Sequence, residues 1–249
     1  MKRMAIGVLV LSFLVLSASG DARKRPVSVT AGSGKVAVPC PATLNDINDC
    51  PDTGCGPSLD PLLNQQKDIR TNNSAVEDKD FHYLATLTDP VPGYAIGDTR
   101  ENIEALGEGK MIRLVAWALK ARKGVKESCN CGLRRAADTD NHIVLADPKL
   151  KNPTLAGEIN SQTAEFTPRV RLDHPNLKGT KLQSLIVAQG GKLKVRITGQ
   201  QMFDSQHSLE GHLKRHNNWE IHPVFGVEYC PKNKKCTAGS DANWVNLEQ

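Results

Sequence analysis

From Lys110 to Lys120 apolar residues occupy both parities, Ile112, Leu114, Ala116 and Ala118 on one and Val115, Trp117 and Leu119 on the other. That pattern predicts a long strand with both faces partly covered. A polar loop from Ala121 to Asn141 follows, and His142 to Ala146 predicts a second, shorter strand. Between Ala164 and Leu172, Phe166, Val170 and Leu172 alternate with Glu165, Thr167, Arg169 and Arg171, which predicts a third strand with one wet, basic face. Leu182, Leu185, Ile186 and Gln189 then recur at helical spacing, and Gly190 with Gly191 marks the stop. Leu193, Val195 and Ile197 alternate with Lys192, Lys194, Arg196 and Thr198, predicting strand four. After a loop from about Asp204 to Asn218, the parity of Trp219, Ile221, Phe225, Val227 and Tyr229 predicts strand five.

The order of three strands, one helix and two strands is that of a five-stranded Greek-key barrel of the OB type, in which a short helix follows strand three. The chain therefore reads as mainly β, with closure bringing strand one against strand four and strand five round beside strand one. The barrel is expected over residues 107–230, with a C-terminal tail over 231–249. Residues 21–106 are rich in Pro, Gly, Asn and Asp, sustain no period of two or 3.6, and are expected to form an irregular extension.

Residues 1–20 have a different character. Lys2 and Arg3 precede an apolar run from Ala5 to Leu16 and the small residues Ser17, Ala18, Ser19 and Gly20, the order of a secretory signal peptide. The run is too short to span a bilayer. The expectation is an exported protein, periplasmic or extracellular, soluble once the signal is removed. In such a compartment thiols tend to pair, and the chain has seven cysteines, so at least one is left over. Cys230 and Cys236 bracket a turn-prone polar loop and are expected to form a disulfide. Two of Cys40, Cys50 and Cys55 are expected to pair in the same manner, which leaves Cys129 and Cys131 to explain.

Certain stretches carry a resemblance. Glu127-Ser-Cys-Asn-Cys131, Asp140-Asn-His142, Val195-Arg-Ile-Thr-Gly199 with Met202-Phe-Asp204, and Trp219-Glu-Ile-His-Pro-Val224 resemble exported, largely uncharacterised bacterial OB-fold-like proteins, over roughly residues 107–229. The resemblance implies the barrel and export but no activity. The chain shows little of the arginine-and-acid pattern of staphylococcal-type nucleases, which share the barrel architecture, and fold alone assigns no function.

The densest polar constellation is Asp204, His207, His212, His216, Glu220 and His222. In a strand, Glu220 and His222 project to one face, opposite Trp219 and Ile221. Asp140 with His142, and Cys129 with Cys131, repeat the same two-residue offset. The leading expectation is a non-enzymatic binding module, with Arg134, Arg135, Asp140, His142, Asp204, His207, Glu220 and His222 as ligand contacts from the loops after strands one and four. Its ligand would be an oligosaccharide, a cell-surface polymer or a protein.

The second expectation is a metal-dependent hydrolase of phosphodiesterase type using His142, Glu220 and His222. Zinc or a similar ion would be held by Cys129, Cys131, His142, Glu220 and His222, since thiolate, imidazole and carboxylate are its usual ligands. A third, single-stranded nucleic-acid binding through Arg134, Arg135, Arg169, Arg171 and the basic stripe of strand four, is disfavoured because stacking aromatics are scarce. The formal charge of +5, which falls to +3 without Lys2 and Arg3, is too mild to call for nucleic acid. No Gly-x-Ser-x-Gly elbow and no phosphate-cradling glycine loop occurs in the chain.

Overall fold

The structure is a computed structural model that describes residues 36–91, 93–94, 98–155, 160–206 and 215–249. The signal segment expected over residues 1–20 lies outside them, as do His207 and His212. In chain order the elements are β1 (Val36–Val38), β2 (Gly56–Leu59), α1 (Pro61–Lys67), β3 (Glu77–Asp78), α2 (Phe81–Ala85) and α3 (Glu101–Ala105). They continue with β4 (Met111–Lys123), β5 (Asn141–Ala146), β6 (Ser161–Phe166), α4 (Pro168–Asp173), α5 (Gly179–Ala188), β7 (Leu193–Phe203), β8 (Arg215–Tyr229) and β9 (Val245–Asn246). Among the described residues no helix is long and apolar enough to cross a membrane.

Five of these strands close a barrel in the order β4, β5, β6, β8, β7 and back to β4. Every pairing in the ring is antiparallel except that of β6 with β8. This is the OB-type arrangement, in which the third barrel strand meets the fifth in parallel. The fifth strand, β8, thus lies between the third and the fourth and not beside the first, because β7 already occupies that edge of β4.

One parity of each strand fills the barrel. Ile112, Leu114, Ala116 and Ala118 of β4 meet Ile143 and Leu145 of β5, Ala164 and Phe166 of β6, Val195 and Ile197 of β7, and Trp219 and Ile221 of β8 in one buried cluster. Burying each large side chain contributes about 1.5–3 kcal/mol. Trp219 also packs edge-on against Phe203 with ring centroids 5.3 Å apart, and its indole N–H donates to the Thr88 carbonyl.

The third strand is shorter than its alternation predicts, ending at Phe166. Thr167 caps α4, its hydroxyl accepting from the Val170 amide, and Pro168 holds the first turn, where no amide is needed. The connection after the third barrel strand is thus two short helices, α4 and α5. Arg169 and Arg171 leave the expected basic strand face: Arg169 is buried, and the Arg171 guanidinium donates to the Ala136 and Ala137 carbonyls.

The described part of the extension carries short helices and strands, each too brief to generate a period in the sequence. Phe81, Leu84 and Ile103 from it join the barrel cluster. Cys40–Cys55 closes a loop within the extension, Cys50–Cys131 ties the extension to the loop between β4 and β5, and Cys230–Cys236 packs with Val115 and Trp244 where the C-terminal tail covers β4. Three disulfides accord with an oxidising compartment.

Candidate metal centre

Strand register dictates which side chains share the outer face of the barrel wall. His142 of β5 lies opposite Glu165 of β6, and Thr163 lies opposite Glu220 of β8, whereas Ile143, Ala164 and Ile221 form the inward set. His142, Glu165, Glu220 and His222 therefore stand together on the side away from the core. Such a face ordinarily meets water. Here it is covered by the segment around α1 and by the loop between β4 and β5, and Glu165, Glu220 and His222 are 5%, 1% and 0% exposed.

The cover is fastened at several points. The Cys50–Cys131 disulfide joins the two covering segments, the Cys55 amide donates to the Ser128 carbonyl, and the Ser128 hydroxyl donates to Asn64 Oδ1. Gly54 makes this approach feasible: its φ is +68°, and a Cβ there would sit 2.1 Å from the Ser128 oxygen. On the other side the Arg169 guanidinium donates to the Cys50 and Pro51 carbonyls and pairs with Asp52 and Asp68.

The β4–β5 loop adds Glu127, Cys129 and Asp140 to the cluster, and α1 adds Lys67. Glu127 Oε2 accepts from Lys67 Nζ at 3.0 Å and from the Cys129 thiol at 3.6 Å. Asp140 Oδ1 accepts from Asn130 Nδ2 at 3.3 Å. Arg215, at the start of β8, lies 3.4 Å from Glu220 and 3.8 Å from Asp204.

The two imidazoles are disposed alike. His222 Nδ1 is 3.0 Å from Glu220 Oε1, and His142 Nδ1 is 3.1 Å from Glu165 Oε1. Each Nδ1 thus faces one carboxyl group and each Nε2 turns the other way. The Nε2 atoms face further acids: His222 Nε2 is 3.9 Å from Asp140 Oδ2, and His142 Nε2 is 3.7 Å from Glu127 Oε1. Both gaps are too long for a hydrogen bond. Asp140 Oδ2, Glu165 Oε2, His142 Nε2 and His222 Nε2 are all buried without a hydrogen-bond partner.

Electrostatics point the same way. Burial, reinforced by Glu220, Glu127 and Asp140, pushes the Glu165 carboxyl well above the ordinary range, and burial with Glu127 raises that of Asp140. The Cys129 thiol is likewise pushed well up, first by burial and then by Glu127 and Asp140. Burial opposes charge on Glu127 as well, but Lys67 and His142 outweigh it and hold that carboxyl well below the ordinary range. Lys67 is pulled down by burial, yet Glu127, Asp204 and other acids more than restore it. The cluster thus holds more carboxylate than its resident cations neutralise.

Among the described residues three overlapping triads bring ligand atoms within 4.8 Å of one another: Glu127, His142 and Glu165; Glu127, Cys129 and Asp140; Asp140, Glu165 and His222. Ligands at zinc distances of about 2.0–2.1 Å in a tetrahedron lie roughly 3.3 Å apart, so the 3.7 and 3.9 Å gaps here would close by a few tenths of an ångström around such an ion. These acid and imidazole groups could hold a metal ion. Glu220 on His222 Nδ1 is the kind of outer carboxylate that fixes a ligating imidazole.

Of the residues expected from sequence, Cys129, Asp140, His142, Glu220 and His222 do come together. Cys131 does not join them as a ligand, because its sulfur is bonded to Cys50. Arg134 and Arg135 are exposed away from the cluster, with Arg135 paired to Asp138. Glu127, Glu165 and Lys67 were not anticipated. Glu165 had a signal, its parity with the polar side of its strand, while Lys67 had none. Comparison of the chain with protein-family models, with curated proteins and with solved structures finds no match.

Proposed function

We propose that the chain is an exported, non-enzymatic binding module of OB type whose ligand face is given over to a divalent metal ion, zinc or one similar. OB barrels take ligands across strands two and three and through the loops after strands one and four. Here that face carries His142 and Glu165, flanked by Glu127, Cys129 and Asp140 from the first of those loops. The observation that carries the reading is the set of four buried ligand-type atoms left without partners on this face. Leaving each unsatisfied costs about 1–3 kcal/mol, and one cation satisfies several at once.

The cover over the face favours an ion over an oligosaccharide, a surface polymer or a protein. It also disfavours the hydrolase reading, because a substrate would have to reach the metal through that cover. The nucleic-acid reading loses Arg169 and Arg196, both buried and ion-paired. The test is elemental analysis of the mature protein as purified, with melting measured before and after chelation. Stoichiometric metal and a large fall in Tm on chelation, reversed by zinc, are expected. A folded, metal-free protein whose Tm ignores both chelator and zinc refutes the reading.

A further inference from the structure

The three triads are not equivalent, and the difference lies in Glu127. It belongs to two of them, and Lys67 Nζ already sits 3.0 Å from its Oε2. The Lys67 side chain is 5% exposed and comes from the last turn of α1, so its ammonium is delivered into the cluster by the covering segment. The Cys129 thiol uses the same Glu127 oxygen. In the third triad, Asp140, Glu165 and His222, the ion pairs among the described residues are with histidines, not with a lysine or arginine. Each of its members carries a buried atom without a partner, Asp140 Oδ2, Glu165 Oε2 and His222 Nε2.

We propose that the centre takes a single divalent ion on Asp140, Glu165 and His222, and that the Lys67 ammonium fills the neighbouring lobe in place of a second ion. The inference rests on the metal-binding reading above and adds ligand identity and stoichiometry to it. Three carboxylates shared among overlapping triads are the raw material of a two-metal site. A divalent ion entering the Glu127 lobe, however, would meet an ammonium tied to the same carboxylate. Cys129 belongs to that occupied lobe, so it stays outside the coordination sphere although it lies within the cluster. Glu220 acts as a positioning residue: its Oε1 holds His222 Nδ1 at 3.0 Å, inside the 3.7 Å of Glu165 Oε2, and leaves Nε2 turned to Asp140.

Cobalt(II) is the probe, because cobalt bonded to a thiolate gives a charge-transfer band in the near ultraviolet and cobalt bonded to nitrogen and oxygen does not. The mature protein with its disulfides intact is expected to take up one cobalt per chain, without that band. Two ions per chain, or one ion with the thiolate band, overturns the assignment. No uptake at all sinks the metal-binding reading itself, a distinguishable result. In Lys67→Met the vacated lobe is expected to accept a second ion on Glu127 and Cys129, with the band appearing. A folded Lys67→Met protein that still binds one ion without the band overturns the role given to Lys67. Should that variant fail to fold, Cys129→Ala decides: it is expected to keep one cobalt with unchanged d–d absorption, and loss of the ion overturns the assignment.

Discussion

Replacing Cys50 and Cys131 by serine opens a covalent loop whose ends are 81 residues apart, whereas replacing Cys230 and Cys236 opens one of 6. In the chain-entropy account the first bond stabilises by about 4.5 kcal/mol and the second by about 2.2 kcal/mol. All four cysteines are buried, at 4%, 7%, 6% and 2% exposure, so the serine hydroxyls meet similar surroundings and their cost largely cancels in the comparison. The expected difference between the two double variants is therefore about 2.3 kcal/mol, from loop length alone.

The larger loss also has a local consequence. Cys131 anchors the loop bearing Asn130, whose side-chain amide holds Asp140. Freeing that anchor loosens an acid of the candidate centre, so the Cys50→Ser/Cys131→Ser protein is expected to lose metal at lower chelator concentration. Cys230→Ser/Cys236→Ser is expected to keep its metal. Urea unfolding midpoints at fixed metal, together with a chelator titration, measure both effects. Equal destabilisation by the two variants, or equal metal loss, refutes the argument that the long bridge is what fastens the cover.

Two further outcomes follow from the buried charges. In metal-free protein, Glu165 and Asp140 are raised above their unfolded values, so through these two groups the folded state binds more protons and their contribution to stability falls as pH rises from about 4.5; Glu127, held low, contributes with the opposite sign, lost as pH falls below that value. With saturating zinc the ligands are held ionised and the slope reverses, so urea midpoints at about pH 5 and about pH 7 should rank oppositely with chelator and with zinc. Elsewhere, Arg100 makes two 2.6 Å bonds to Glu108 and donates to the Phe203 carbonyl, with side chains 3% and 0% exposed. Arg100→Met leaves Glu108 buried and unpaired and is expected to cost about 3–5 kcal/mol. Arg70→Met, which removes an exposed pair with Asp173, is expected to cost less than about 1 kcal/mol, and equal losses in urea melts would contradict the distinction.

What the sequence reveals of this fold depends on how local each signal is. Val195 and Ile197 against Lys194 and Arg196 announce β7, and the two-residue offset of Glu220 and His222 places both on one face of β8. Thr167 followed by Pro168 is an N-cap signal, yet alternation running on through Arg171 hides it. Glu165 is misjudged for a different reason: period two shows that a strand has two unlike faces, not what lies over them. Its face is dry because a segment a hundred residues earlier folds across it. The partnership of Cys50 with Cys131, like that of Lys67 with Glu127, depends on the same long-range packing and leaves no trace in either stretch of chain.

That separation has an energetic meaning. The inward parity of the wall, Ile143, Ala164 and Ile221, builds the core, and the acid and imidazole cluster contributes no side chain to it. Burying Asp140, Glu165 and His222 with unpartnered atoms works against folding, and apolar residues of similar size would cover the wall at lower cost. The covering segment is nonetheless stapled over them by the Cys50–Cys131 bridge, and its Lys67 pairs with Glu127. A site that destabilises the empty protein, is held closed by a covalent bond and is charged for a cation is coherent if an ion completes it. Without the ion, Lys67, Asn130 and Arg215 pair with parts of the cluster, while Asp140 Oδ2, Glu165 Oε2 and His222 Nε2 keep a desolvation cost with no hydrogen bond to offset it.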